Sequence, residues 1–372
     1  MLKWILIFTV AVGLAAAGCS DANDSAESGQ TAWLTRTPTP QSDYAPASIE
    51  ATIDKLVVEL NKTEQSVGVK SAFVPKQLDA FFEVTVLGAN RAYAELQMLG
   101  NVVAPSPSEE EDSQQLQKGI IDNQLKEGVL LIGLATVSDV VHPSIDAVVD
   151  AGGTVITFDS DAVDTKRQLY VGTINVEAGK TAGTTLNNII GTGKTGTVVV
   201  FGYDDVNWRD GYDRTHEARK VLEAAGHTVV IRHVDWGNAQ ANVDFIQEQL
   251  TNADPPAVGC LGVFNNSFAC ADAVVAAGLQ SQVKVVAFDT ETQTVEYMQQ
   301  GVIQATHVQR QYYMGYLVPY LLMAINKLGL EPTKALLGDI MVDGNRIDTG
   351  LDVIPADGIA AYKEFQNQLS AL

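Results

Sequence analysis

Apolar and polar residues recur along the chain with two different periods. Short apolar runs rich in β-branched and aromatic residues predict strands at 67–74, 129–134, 154–158, 197–201, 228–234, 258–264, 283–288 and 302–308. Most segments between them repeat their apolar residues every three or four positions, which predicts helices such as those at 81–98, 178–190, 214–225 and 239–250. Near-continuous apolar strands need cover on both faces, so the alternation predicts α/β layers with parallel sheets. The strands are too many for one ordinary open sheet, and two sheets are expected.

Two segments precede this alternation. Residues 19–47 are polar and contain Pro38, Pro40 and Pro46. Such a segment cannot bury enough apolar surface to fold, which predicts a flexible linker. Residues 48–62 carry apolar side chains at helical spacing, which predicts a short amphipathic helix packed on the domain behind it.

The first residues have the pattern of an export signal. One positive charge, Lys3, precedes an apolar run that is shorter than the ~20 residues of a membrane-spanning helix. Small residues lead into Cys19 as in a bacterial lipobox, so residues 1–18 are expected to be a signal peptide and Cys19 to be lipidated. The alternative is ordinary secretion with an incidental Cys19. The expected location is the periplasm or the outer face of the cytoplasmic membrane, with membrane contact only through the lipid.

The composition limits which classes of partner this protein could bind. Lys and Arg total 24 against 45 Asp and Glu, which gives a formal charge of −21. Nucleic acid and anionic membrane surfaces are excluded as partners, since both require clustered cationic side chains. The five His residues have no metal-ligand spacing, so neither a metal nor a cofactor is expected. Cys260 and Cys270 could form a disulfide, but two buried, unpaired thiols are the favoured interpretation.

Polar and aromatic side chains follow several of the predicted strands. Parallel α/β sheets bind ligands outside the carboxyl ends of their strands. Strand-end residues suited to a sugar are Asp159, Asn265, Asp289 and Gln309, with Phe81, Phe82 and Trp236 as aromatic partners. Carboxylates and amides bond to neighbouring hydroxyls, and aromatic faces cover the C–H faces of a sugar ring.

The ordered set of motifs resembles a known family over about residues 66–355. The motifs are Asp-Ala-Phe-Phe (79–82), Ile-Thr-Phe-Asp (156–159), Tyr-Val-Gly-Thr-Ile-Asn (170–175), Val-Phe-Asn-Asn (263–266), Val-Val-Ala-Phe-Asp (285–289) and Gln-Ala-Thr-His-Val-Gln (304–309). They resemble the ribose-type periplasmic binding proteins, the type I solute-binding receptors of sugar ABC transporters. The resemblance implies two Rossmann-like α/β lobes with parallel sheets, joined by a hinge of three crossings.

The resemblance also implies the lobe boundaries. The N-terminal lobe would comprise residues 48–173 and 310–338, and the C-terminal lobe residues 174–309 and 339–372. The crossings would lie near residues 173–175, 309–310 and 338–340.

The ligand-binding residues that the resemblance implies come from both lobes. They are Phe81, Phe82, Asp159, Arg214, Trp236, Asn265, Asp289 and Gln309. Arg209 competes with Arg214 for the family's arginine, and Ser160 stands where the family often has another arginine. No catalytic residue is expected, because the chain has no Gly-x-Ser-x-Gly elbow and because Asp159 and Asp289 would hold hydroxyls from opposite lobes.

These features predict a non-enzymatic, monomeric lipoprotein that captures a small neutral sugar, a pentose or hexose, and delivers it to an ABC permease. Three alternatives stay open. The ligand could be a nucleoside, a cyclic polyol or a signalling furanose. The protein could be a sensory receptor that feeds a kinase, or an enzyme on the same fold.

Overall fold

Two six-stranded sheets organise the computed structural model, which describes residues 32–106, 112–206 and 208–372. The strands are β1 (Lys70–Val74), β2 (Leu99–Val102), β3 (Leu131–Leu134), β4 (Thr154–Phe158), β5 (Leu169–Gly172), β6 (Thr197–Gly202), β7 (Thr228–His233), β8 (Ala257–Gly262), β9 (Lys284–Phe288), β10 (Ile303–Gln309), β11 (Arg346–Asp348) and β12 (Leu351–Pro355). The helices are α1 (Ala47–Leu60), α2 (Ala80–Leu96), α3 (Ser113–Lys126), α4 (His142–Asp150), α5 (Asn175–Ile190), α6 (Arg209–Ala224), α7 (Ala239–Thr251), α8 (Phe268–Ala276), α9 (Thr292–Gln299), α10 (Gln311–Leu328), α11 (Leu330–Leu337) and α12 (Ile359–Ser370).

The two sheets have the same strand order. The first runs β2-β1-β3-β4-β5-β11 and is parallel throughout, and the second runs β7-β6-β8-β9-β10-β12 with only β12 antiparallel. Every residue of β4 and of β6 is buried, as a sheet covered by helices on both faces requires. The predicted fold of two parallel α/β lobes is therefore confirmed. The order reverses between β1 and β3 and between β6 and β8, which makes these two pairs the switch points for ligand binding.

Helices pack closely where glycine replaces a side chain. In the first lobe, α2 and α10 lie against each other. A Cβ atom at Gly88 or at Gly315 would collide with the backbone of the facing helix. These two positions therefore set the distance between the helices.

The chain passes between the lobes three times. It leaves the first sheet after β5 and enters α5 through residues 173–174, and it returns through Arg310 between β10 and α10. The third passage lies at residues 349–350, between β11 and β12, and not near residues 338–340 as the resemblance implied. Because β11 pairs in parallel with β5, residues 339–348 lie with the first lobe and not with the second. A strand of three residues carries too weak a pattern to be found in the sequence.

Residues 34–46, here called the N-terminal arm, are packed against the folded body. Leu34 is buried, and Arg36 forms ion pairs with Glu50 and Asp54 of α1. The arm therefore differs from the flexible linker predicted for residues 19–47. A few anchoring side chains hold it in place, although its overall composition is polar. The predicted helix that follows is present as α1.

The arm also reaches the second lobe. The ring of Tyr44 packs edge-on against Tyr362 at 5.1 Å, and its hydroxyl donates to the Gly358 carbonyl at 3.3 Å. The preceding residues bond to the first lobe, where the Arg36 Nε donates to the Tyr316 hydroxyl at 3.1 Å. The arm thus touches both lobes beside the hinge, in addition to the three crossings.

Cys260 and Cys270 are buried and unpaired, as favoured from the sequence. Cys19 and the predicted signal peptide lie outside the described residues. Across the described ranges, no helix combines the length and the apolar character that crossing a membrane requires.

Candidate functional site

Asp159 and Asp289 stand at equivalent places in the two lobes. Each follows the fourth strand of its sheet, β4 or β9, and each is preceded by a fully buried Phe. Both adopt a left-handed backbone conformation, with φ of 59° at Asp159 and 61° at Asp289. This conformation is uncommon for residues other than glycine, and it tends to occur at functional sites. Both residues are buried, at 9% and 4% exposure.

The neighbours of these two carboxylates differ. Asp159 forms an ion pair with Lys76, with 2.9 Å between Nζ and Oδ2. Asp289 accepts from the Gln311 amide at 3.2 Å and also bonds to Gln309. Burial raises the pKa of Asp289 to about 7, and the negative charge of Asp159 adds to the rise. The guanidinium of Arg214 and the bond from Gln309 oppose this rise only in part.

Arg214 lies at the centre of the second lobe's polar residues. Its Nε donates to Asn175 Oδ1 and its Nη2 to Gln309 Oε1, both at 2.6 Å, and its Nη1 donates to the Val263 carbonyl at 3.3 Å. The guanidinium also lies 5.3 Å from the ring centroid of Phe288. Its partner Asn175 opens α5 directly after the first crossing.

A direct hydrogen bond joins the lobes at the cleft. The Ser160 hydroxyl of the first lobe donates to Asp210 Oδ2 of the second lobe at 2.7 Å. Asn175 donates to the other oxygen of Asp210 at 2.9 Å. Burial raises the pKa of Asp210, and Lys76, Ser160 and Arg214 oppose the rise. Ser160, which replaces the arginine often found in the family, thus faces an acidic residue.

A cluster of aromatic rings, here called the aromatic wall, lies in the second lobe next to the first turn of α6. It consists of Tyr203, Trp208, Trp236 and Phe264. Trp208 stacks on Phe264 at 4.7 Å between centroids with 8° between planes, and Trp236 lies 5.7 Å from each of these two rings. Trp236 is 57% exposed and forms the outer edge of the wall. Gly211, adjacent to Asp210, leaves room for the wall, because a Cβ atom there would meet Phe264 and Trp208.

The remaining predicted residues lie at the edge of the cleft. Phe81 and Phe82 begin α2 and meet edge-to-face at 5.0 Å, with both backbone amides capped by Asp79. Asn265 bonds to Glu291. Burial, and next the negative charge of Asp79 at the start of α2, raise the pKa of Glu291.

The structure thus joins Asp159, Arg214, Asp289 and Gln309 into one polar network, with Phe81, Phe82 and Asn265 at its edge. Trp236 belongs to the aromatic wall, where it lies against Trp208 and Phe264.

Sequence reasoning missed four members of the network: Lys76, Asn175, Asp210 and Gln311. Lys76 is the second residue after β1, at a switch point, so the strand-end rule could have found it. Asp210 lies four residues before Arg214, one turn away on the same helix. Asn175 is the last residue of the motif at 170–175, which predicts a hinge crossing but no ligand-binding residue.

Two further observations concern metal binding and a cavity elsewhere in the first lobe. No group of three or more His, Cys, Asp or Glu side chains in the described part of the chain is placed to hold a metal ion. A cavity of about 610 Å³ lies at the opposite, amino-terminal edge of the first sheet, where Gly128, Gly153, Thr154 and Asn326 help to line it. It is remote from the switch points.

Comparison with solved structures supports the fold. A solute-binding protein of an ABC transporter from Burkholderia graminis, in complex with D-arabinose, superposes with a TM-score of 0.67 at 24% identity, covering 81% of this chain and 99% of that one. An arabinose-binding protein from Geobacillus stearothermophilus gives 0.67 at 22% identity, covering 79% and 99%. A glucose-galactose binding protein from the same species gives 0.65 at 22% identity, covering 78% and 99%.

At the level of sequence, no curated protein matches the chain significantly. A family model does match, over residues 71–329, and it describes a periplasmic binding protein domain. The match spans the strand-end residues of both lobes and the first two crossings. The chain therefore belongs to the periplasmic binding protein family.

Proposed function

We propose that this protein is the exported binding component of an ABC importer and captures a monosaccharide, a pentose or a hexose, between its two lobes. The observation that carries the proposal is the polar network of Asp159, Arg214, Asp289 and Gln309 beside an aromatic wall. Such a combination suits a ring with several hydroxyls and apolar C–H faces. Among the similar structures, one is a complex with D-arabinose, one has D-fucose bound, and one is a glucose-galactose binding protein.

The proposed mechanism is closure around the sugar. A ligand that touches Asp159 in one lobe and Asp289 in the other binds the closed form more tightly than the open form, and so shifts the population towards closure. The closed form, acting as a monomer, then docks on the permease. A lipid at Cys19 holds the receptor near the membrane.

Isothermal titration with a panel of pentoses, hexoses and nucleosides tests the ligand class. We expect at least one monosaccharide to bind, and the variant Asp289→Asn to bind it at least about tenfold more weakly, because a charge-assisted hydrogen bond is lost. Asp150→Asn is the matched control, since Asp150 is exposed and ends α4, at the far end of the first lobe. Heat with a nucleoside and none with any monosaccharide would show that the sugar assignment is wrong.

Uptake and anchoring need separate tests. Deletion of the gene should abolish uptake of the radiolabelled sugar, and unchanged uptake would favour a sensory role. Cys19→Ser should release the protein from the membrane fraction, whereas unchanged fractionation would contradict the lipid anchor.

A further inference from the structure

A hydrogen-bonded chain of three side chains crosses the cleft. The Lys76 ammonium group contacts the Ser160 hydroxyl oxygen, and that oxygen lies 2.7 Å from Asp210 Oδ2. An ammonium group can only donate and a carboxylate can only accept, so the direction of both bonds is fixed. Ser160 accepts from Lys76 and donates to Asp210. One hydroxyl therefore links a cation of the first lobe to an acid of the second.

Contacts within the first lobe hold the donor side of this chain. Lys76 follows β1 and Ser160 follows β4, and Ser160 is buried. Lys76 also pairs with Asp159 at 2.9 Å, which keeps its ammonium group beside Ser160. The Ser160 hydroxyl has a longer contact of 3.4 Å to Asp159 Oδ2, which is its alternative acceptor within the first lobe. The much shorter distance to Asp210 favours the bond between the lobes.

Contacts within the second lobe hold the acceptor side. Asp210 is half-buried in the first turn of α6, and Asn175 donates to its Oδ1 at 2.9 Å. The side-chain oxygen of Asn175 accepts in turn from Arg214 Nε at 2.6 Å. Each oxygen of Asp210 therefore accepts from a neutral group that is itself bonded to a cation. Hydrogen bonds polarise one another along such chains, which strengthens each of them.

An opening motion of the hinge has different effects on these two bonds. Asn175 and Asp210 both belong to the second lobe, so their bond persists when the lobes rotate apart. Ser160 belongs to the first lobe, so its bond to Asp210 breaks. A contact that exists in only one of two conformations stabilises that conformation relative to the other.

We propose that Ser160 and Asp210 form a latch that stabilises the closed arrangement of the lobes independently of the sugar. This inference rests on the proposed function and adds to it, since the latch supplies part of the free energy of closure. A protein whose binding-competent form is more populated has a higher apparent affinity. Ser160 is thus a positioning residue that strengthens sugar binding without touching the ring.

Isothermal titration of Ser160→Ala with each monosaccharide that binds the wild type tests the latch. We expect each sugar to bind about three- to tenfold more weakly, the effect of one hydrogen bond to a half-buried acceptor. The factor should be the same for every sugar, because no contact to the ring is lost.

Ser144→Ala is the matched control for this titration. Ser144 donates to Asp122 at 2.6 Å, and Lys118 pairs with the same carboxylate, so the three residues resemble the latch chemically. All three lie on α3 and α4 of the first lobe. This variant should therefore bind each sugar with the wild-type affinity.

A double-mutant cycle tests whether the two residues act together. Asp210→Ala removes the acceptor, and in that background Ser160→Ala should weaken binding by about twofold or less. Losses that multiply in the double variant would overturn the latch. A loss that differs several-fold between sugars would make Ser160 a ligand contact and would also overturn it. Sugar affinity of Ser160→Ala equal to that of the wild type would overturn the latch and leave the proposed function standing.

Small-angle scattering of the sugar-free protein tests the latch even if no monosaccharide binds, the outcome that would refute the proposed function alone. Ser160→Ala should have a larger radius of gyration than the wild type, because its lobes spend more time apart. Ser144→Ala should match the wild type. An unchanged radius for Ser160→Ala would overturn the latch.

Discussion

At the scale of single residues, the buried carboxylates of the cleft are electrostatically unfavourable for the ligand-free protein. Asp289 is buried beside other carboxylates, and its pKa is raised to about 7. A site that binds solute strongly commonly keeps such groups although they cost stability, because the ligand compensates them. Asp289 should therefore weaken the ligand-free fold while strengthening ligand binding.

The pH dependence of stability follows from this shift. A carboxylate whose folded-state pKa is raised contributes stability below its unfolded-state pKa near 4, and loses that contribution as the pH rises to about 7. Asp289→Asn should therefore equal the wild type at about pH 4. It should be more stable by on the order of 1–3 kcal/mol at about pH 8, since each pKa unit corresponds to about 1.4 kcal/mol.

Chemical denaturation of both proteins at several pH values measures this difference. His307 titrates in an overlapping range, because burial lowers its pKa to about 4. Its contribution to the pH dependence is the same in both proteins and therefore cancels in the comparison. A difference between the two proteins that stays constant with pH would contradict the prediction.

At the scale of elements, the pairing of α5 and α6 positions the central arginine. Gly179 of α5 faces the backbone of Arg214, and a Cβ atom at this glycine would lie 2.5 Å from the Arg214 carbonyl oxygen. The short distance between the helices lets Arg214 reach Asn175 on α5 and Gln309 on β10. Packing between helices thus sets the geometry of the network.

Gly179→Ala should force these helices apart. We expect it to destabilise the protein by about 1–3 kcal/mol, as for overpacked interiors, and to weaken sugar binding. Gly119→Ala on α3 is the control, because no described atom lies within 4 Å of the added methyl group there. That control should be neutral or stabilising by up to about 1 kcal/mol. Equal unfolding midpoints for the two variants would contradict this role of Gly179.

The elements also show why sequence reasoning succeeded only in part. The strand-end rule predicts a shared position for Asp159 and Asp289, which directly follow buried strands, and for Gln309, which ends one. Asp210 was missed because it lies in the first turn of a helix, and its place depends on how α6 packs against α5. The third crossing was misplaced because β11 has only three residues.

At the scale of the whole molecule, the N-terminal arm adds to the covalent hinge. Arg36 fixes the arm to the first lobe, and Tyr44 fixes it to α12 of the second lobe. The similar structures cover about four fifths of this chain, and the family match begins only at residue 71. The arm thus precedes the part of the chain that the family model covers.

Tyr44→Ala should loosen the contact between the lobes. We expect the ligand-free protein to have a larger radius of gyration in small-angle scattering, with little change in the ligand-saturated form. Stability should fall by about 1–3 kcal/mol through loss of the packed ring. Tyr44→Phe keeps the ring contacts and loses only the bond to the Gly358 carbonyl, so it should resemble the wild type. Identical scattering of wild type and Tyr44→Ala would contradict a restraining role.

The aromatic wall has a practical consequence for measuring closure. The chain has four tryptophans, and two of them, Trp208 and Trp236, stand in this wall at the cleft. Trp4 and Trp33 lie near the amino terminus, and Trp4 would be removed with the predicted signal peptide. The intrinsic fluorescence of the protein should therefore report ligand entry without any label, because Trp236 passes from water into contact with solute and its emission shifts to shorter wavelength.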